Sequence, residues 1–139
     1  MTALPHQATG VAVGGRGVLI EGPPGGGKSS LALALIDRGA VLVGDDGVLL
    51  ERRDGRLWAL PPPQIAGLLE IRNVGLVHLP ATEAPVALVV RLDRSAPRHV
   101  ERAGECELAG TRVPLIVLWP ESAVLALRAE WALARHGIA

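Results

Sequence analysis

Hydrophobic positions along the chain follow two rhythms. Strand-length apolar runs recur, with Gly, Pro or a charge closing each one: Thr9–Val13 "TGVAV", Val18–Glu21 "VLIE", Ala40–Asp46 "AVLVGDD", Pro85–Asp93 "PVALVVRLD" and Val113–Trp119 "VPLIVLW". "GGRG" makes a tight turn between the first two. Val48–Leu60 predicts a hairpin turning at Asp54-Gly55, and Cys106–Val113 a hairpin leading into the last strand. Two stretches carry a helical spacing instead. "SSLALALIDRG" starts near Lys28 and stops at Arg38-Gly39. Glu121–Gly137 is amphipathic, with Ser122 as the expected N-cap and Gly137 past its end. Gln64–Leu79 "QIAGLLEIRNVGLVHL" reads as a helical turn followed by a strand ending near His78.

Strands outnumber helices, which predicts an α/β fold with a mixed, strand-rich sheet and flanking helices. The 139 residues suffice for one domain over 1–139 with one core, without disulfides or metal staples. The 49% hydrophobic content is almost entirely aliphatic, with three Trp and no Phe or Tyr, as suits buried strands covered by helices. Net charge is zero, the arginines are scattered among carboxylates, and no aromatic ladder offers to stack bases. Nucleic-acid binding is therefore not expected. The single Cys106 excludes an internal disulfide. "MTALPHQATG" has no signal-peptide pattern and no apolar run is long enough to span a membrane, so the expected location is cytoplasmic.

Charge becomes informative at one place. Of the 14 Lys and Arg residues only Lys28 is a lysine, and it sits in "GPPGGGKS", Gly22–Ser29. That run satisfies G-x-x-x-x-G-K-[ST], the phosphate-binding loop. Gly22, Pro23, Pro24, Gly25, Gly26 and Gly27 would form the loop itself. Its glycines let backbone N–H groups approach phosphate oxygens with no Cβ in the way. The following helix points its positive end at the same anion. Lys28 supplies a mobile point charge and Ser29 a hydroxyl for Mg²⁺. An apolar strand before the loop and a helix after it are the context the motif requires.

Phosphoryl transfer also needs a group to hold metal and one to orient or deprotonate the acceptor. Asp45 and Asp46 end the strand after the loop helix, and a crossover connection returns them beside the loop. Neighbours on an extended segment face opposite ways, so one acid would take metal and the other the acceptor; the alternative is a plain turn, since Gly44-Asp-Asp-Gly47 is rich in turn formers. Glu70 in "LLEIRN" is a third candidate; by pattern alone it is equally the solvent face of a strand.

Taken in order, "GVLIEGPPGGGKS", "IDRGA", "LVGDD" and "LEIRNVG" resemble the C-terminal kinase domain of bacterial HPr kinase/phosphorylase, from about Thr9 to Leu79 and more weakly beyond. "LEIRNVG" looks like that family's signature, with Asn73 where glycine is usual. The resemblance implies ATP- and Mg²⁺-dependent phosphorylation of a seryl hydroxyl on HPr, the small phosphocarrier of the sugar phosphotransferase system. It implies Asp46 as proton acceptor, Glu70 as a second magnesium contact, Asp45 in support of metal or geometry, and Arg102 as a later active-site arginine. It further implies a homo-oligomer, since family members are hexamers, in a shortened form without the family's N-terminal domain.

Two departures from the family matter. Its histidine before the loop falls at Gln7 by constant spacing, with His6 one residue off: a shift or bulge in an N-terminal strand would let His6 serve as the catalytic histidine, while a one-residue slip would turn it to the other face as an ordinary surface His. The basic, glycine-containing stretch tied to the phosphorylase reaction is replaced by Trp119–Val124 "WPESAV", which predicts a kinase with weak or absent phosphorylase activity. Alternatives stand beside the kinase: a nucleotide-gated binding module that transfers nothing, or a kinase for another acceptor. His78, His99 and His136 lack metal-ligand spacing. Trp131 shares a stripe with Val124 and Leu127 and is expected in the core or a subunit contact. Arg52, Arg53 and Arg56 are either a solvated hairpin tip or a patch steering an acidic partner.

Overall fold

Val and Leu occupy both faces of the longest apolar run, and that strand lies at the centre of the sheet, as expected where neither face meets water. The computed structural model describes residues 3–139. Its strands are β1 (Leu4–His6), β2 (Thr9–Val13), β3 (Arg16–Glu21), β4 (Val41–Gly44), β5 (Val48–Arg53), β6 (Arg56–Leu60), β7 (Leu68–Ile71), β8 (Gly75–His78), β9 (Ala84–Leu92), β10 (Gly104–Leu108) and β11 (Thr111–Leu118). Two α-helices, α1 (Lys28–Asp37) and α2 (Leu125–His136), and a short 3₁₀ turn at Pro63–Ile65 complete it.

The main sheet runs β1-β5-β6-β9-β3-β2-β4, and β9 also pairs with β11, which carries β10. Strands β3 and β11 each pair with β9 in parallel; the other strand pairings are antiparallel. The mixed, strand-rich sheet expected from the pattern is thus present. A one-residue register shift between β3 and β9 at Gly17/Val18 skips Ala87. The alternation resets there, so Val86 packs into one apolar cluster while Ala87 and Leu88 both enter the other.

One sheet face (Val11, Val18, Ile20, Leu88, Val90) is covered by Leu31 and Leu35 of α1 and Leu133 of α2. The opposite face (Leu19, Val43, Val86, Val89) is covered by the sheet itself, which curls so that Val48, Leu50 and Leu57 of the β5–β6 hairpin pack over it. No helix among the described residues is long and apolar enough to cross a membrane.

Several expectations are corrected. "QIAGLLEIRNVGLVHL" does open in a helical turn, the 3₁₀ segment Pro63–Ile65, and does end in a strand at His78, but two strands follow the turn rather than one: β7 and β8 form a separate two-stranded hairpin. Its turn brings Asn73 to φ 70°, a left-handed conformation that asparagine tolerates. Ser122 does not cap α2. Its hydroxyl accepts the Val124 N–H at 3.1 Å in a turn that precedes the helix. Trp131 is not core, since it is 68% exposed; α2 buries Ala129, Ala132 and Leu133 instead, which lie on a different face from the Val124–Leu127–Trp131 row. The arginine cluster is largely committed. Arg53 forms a two-pronged ion pair with Glu83 at 2.7 and 3.1 Å, bonds Glu51 at 2.9 Å and lies over Trp58. Arg56 donates to the Ala139 carbonyl. Only Arg52 of the three remains fully outward.

Candidate active site

Strand β3 ends at Glu21, and Gly22–Gly27 loop back into the first turn of α1. Glycine is required here by geometry. Gly25 and Gly27 lie at φ 72° and 98°, and a Cβ on Gly26 would fall 2.8 Å from the Pro23 carbonyl oxygen. Gly27 is the N-cap of α1 and makes no side-chain cap, so the helix N–H groups remain directed at whatever the loop holds. Lys28 folds back along the loop. Its ammonium donates to the Gly22 carbonyl at 3.1 Å and lies 3.5 Å from Asp46 Oδ1.

Strand β4 returns past β2 and delivers the acid pair to the same place. Asp45 is tied down: its Oδ1 accepts the Ser29 hydroxyl at 2.6 Å and its Oδ2 accepts the Glu70 backbone N–H at 3.1 Å. One carboxylate thus joins the loop helix, the acid turn and the β7–β8 hairpin. Asp46 adopts φ 58° and stays 64% exposed beside Lys28. The two acids have different surroundings, and they reach them through a turn with a left-handed residue rather than through strand alternation. Gly44 allows that turn, because a Cβ there would lie 2.1 Å from the Gly47 carbonyl oxygen.

A residue that the sequence reasoning passed over holds the turn from beneath. Thr9, at the start of β2, is fully buried. Its hydroxyl accepts the Asp46 N–H at 3.1 Å and points at Asp45 Oδ1, 3.4 Å away. The available signal was a lone hydroxyl opening an otherwise apolar strand.

Loop and acids enclose a cavity of about 380 Å³, whose walls include Lys28, Ser29, Asp45, Asp46 and Glu70. Gln7 and Arg72 also line it. Arg72 was missed because a charge on a strand-end turn carries no signal of its own. The structure separates the two histidine alternatives: Gln7 faces the cavity, while His6 Nε2 lies 3.1 Å from Glu21 Oε2, a carboxylate that also bonds Arg91 at 3.0 Å. Arg102 sits on an exposed bend between β9 and β10 and is not among the cavity's lining residues.

Among the described residues no three of His, Cys, Asp and Glu gather closely enough to form an all-protein metal cage. Magnesium does not need one. It binds through one or two carboxylates together with phosphate oxygens and water. Ser29 suits such an ion, because a hydroxyl that donates its proton to Asp45 keeps its lone pairs for a cation. Asp45 and Glu70 line the same cavity, together with Asp46 beside Lys28.

Comparison with known proteins agrees with this architecture. The family profile described as HPr Serine kinase C-terminal domain matches residues 3–102. HPr kinase/phosphorylase of Clostridium novyi is 39% identical over 103 residues, covering 68% of this chain and 34% of the relative. The Streptococcus thermophilus protein of the same name is 38% identical over 116 residues, 73% of this chain and 38% of the relative. The chain therefore spans little more than a third of the curated relatives it matches. The solved structure of the Hpr(Ser) kinase/phosphatase from Coxiella burnetii superposes with a TM-score of 0.83 at 27% identity, over 94% of this chain and 88% of that one.

Proposed function

The chain belongs to the HPr serine kinase C-terminal domain family, and from that premise we propose that it is an ATP-dependent serine kinase whose acceptor is a seryl hydroxyl of HPr. The observation that carries the proposal is the Lys28–Asp46 pair: an ammonium on the phosphate loop and an open carboxylate 3.5 Å apart in one cavity. The family's relatives bear kinase/phosphorylase names, and the loop, the acid pair and Glu70 of this chain gather around one cavity.

In this reading the loop N–H groups and Lys28 bind the phosphates of ATP. Asp46 accepts the proton of the acceptor hydroxyl as its oxygen attacks the terminal phosphorus, and ADP leaves in line. Ser29, Asp45 and Glu70 would hold Mg²⁺, which supplies neutralisation of phosphate charge. Asp45 keeps Ser29 and the hairpin in place, and Gln7 and Arg72 border the space left for the acceptor. Arg102 and His6 act only if nucleotide or acceptor draws them inward.

The phosphorylase reaction, in which inorganic phosphate attacks phosphoserine, is weak or absent in the proposal. A second anion must be held, and Trp119–Val124 offers one carboxylate, Glu121, and no cation. A single domain acting in the cytoplasm as a homo-oligomer completes the proposal.

The test is transfer from labelled ATP with Mg²⁺ to purified HPr. Acid-stable label on HPr serine is expected. Asp46→Asn is expected to keep ATP binding and lose about 10²–10⁴-fold in transfer, the usual worth of a general base. Lys28→Ala is expected to lose nucleotide binding or transfer. Binding without transfer would make the chain a nucleotide-gated module, and label on another molecule alone would replace the acceptor.

A further inference from the structure

The phosphate loop has a second flank. Beyond Gly25 and Gly26, away from the acids, lies another cavity of about 550 Å³, lined by Leu92, Asp93, Arg94, Pro120 and Glu121. We propose that this cavity takes the base and ribose of the nucleotide whose phosphates lie on the loop. The proposal rests on the nucleotide-binding reading above and adds where the nucleoside goes.

Topology is the first argument. The cavity is built where β3, β9 and β11 end, and these are the sheet's parallel neighbours. In open α/β sheets small ligands bind outside the carboxyl ends of such strands. The strand ends are tied together there, with the Asp93 N–H donating to the Leu118 carbonyl at 3.1 Å. The segment after β9 is also set in advance. Ser95 N–H caps the Asp93 carboxylate at 2.8 Å, and Ala96 N–H donates to the Asp93 carbonyl. A site assembled before the ligand arrives loses little ordering entropy on binding.

Chemistry is the second. The loop is a shared wall of both cavities. The first holds Lys28, Ser29 and three carboxylates, so it suits the metal-bearing, reacting end of a triphosphate and the acceptor hydroxyl. The nucleoside has to leave the loop elsewhere, and the second cavity adjoins the same glycines. Its size falls within the range of roughly 300–1,000 Å³ usual for small-molecule sites. Pro23, Pro24 and Pro120 give an apolar surface for a ring above the buried Leu92, and Arg94 pairs with Glu121 across the lining. A guanidinium is a flat cation that stacks on an aromatic base, and a carboxylate accepts from ribose hydroxyls or an exocyclic amine. The acceptor has no use for this side, since its hydroxyl must reach Asp46.

The experiment compares Mg²⁺-ATP with Mg²⁺-tripolyphosphate, which has the phosphates and no nucleoside, by titration calorimetry. Arg94 and Glu121 are both exposed, so a double Arg94→Ala, Glu121→Ala variant keeps the fold, checked by its melting curve. The variant is expected to bind ATP about tenfold more weakly and tripolyphosphate within about twofold of the native chain. Amide exchange at residues 92–95 and 119–122 is expected to slow with ATP and not with tripolyphosphate. If the variant holds ATP as well as the native chain, or loses both ligands alike, the assignment falls while the kinase reading stands. If the native chain binds neither ligand, the nucleotide reading falls and this one with it.

Discussion

The Thr9 hydroxyl accepts the Asp46 backbone N–H at 3.1 Å from a fully buried position, so the first residue of β2 holds the turn that aims the candidate base. Asp46 is left-handed there, at φ 58°, a conformation that needs support in a residue with a side chain. Thr9→Val keeps the shape and removes the acceptor, costing the part-buried Asp46 N–H its partner, about 0.5–1.5 kcal/mol. Transfer is expected to fall at least about tenfold, the scale of misplacing a catalytic group, while ATP affinity holds. Thr9→Ser is expected to restore the rate. Parallel kcat and ATP Kd measurements on both variants check this; a valine variant with native kcat would remove Thr9 from the positioning role.

Gly44 tests the same turn from the backbone side. An alanine Cβ would meet the Gly47 carbonyl at 2.1 Å, which the backbone relieves only by moving. Gly44→Ala is expected to lose roughly 1–3 kcal/mol of stability, as overpacking does, and to carry Asp45 away from Ser29. Denaturant unfolding measures the first and transfer activity the second. An unchanged midpoint would show that the turn relaxes freely.

Glu83 ties the β5–β6 hairpin to the start of β9. Hydrogen bonds from Arg53 hold its carboxyl below the ordinary value of 4.5. A carboxyl whose folded pKa is depressed contributes stability that is present above the unfolded pKa and is lost as pH falls through the folded one. The native chain is therefore expected to lose stability relative to Glu83→Gln as pH drops below about 4.5. The difference is small because the pair is solvated. Melting curves of the two proteins from about pH 7 to about pH 3 should converge at the acid end.

Cys106, the single cysteine, faces an apolar cluster on β10. Burial first, and then the nearby Glu21 carboxylate, push its thiol above the ordinary value of 9.0. Alkylation by iodoacetamide is expected to run slower than for a free thiol at the same pH, with a pH–rate profile displaced upward. Equal rates would show Cys106 to be solvated.

Local chemistry made much of this legible. A loop that must approach phosphate has to be glycine and lysine at fixed spacing, and a strand buried on both faces has to be an unbroken aliphatic run. Gly22–Ser29 and Pro85–Asp93 could therefore be recognised one by one. Asp45 and Asp46 stood out because they follow a buried strand in a chain that also carries a phosphate loop, although Gly44–Gly47 reads as a turn too. The β7–β8 hairpin escaped because its pattern, short apolar stretches around Glu70 and Asn73, fits a helical turn as well as a strand pair. Trp131 lies outside the core because α2 has two apolar rows, and spacing does not say which one meets the sheet.

What the sequence determined alone is the set of groups whose role follows from their own neighbours: the phosphate loop, the helix it opens, and the presence of an acid pair. The tertiary structure decided which of those groups meet. It set Thr9 beneath Asp46, joined Ser29 to Asp45, turned Gln7 rather than His6 toward the cavity, and left Arg102 outside. Each of these depends on strands distant in the chain pairing in one register, and pairing energy belongs to two segments at once, so neither segment displays it by itself.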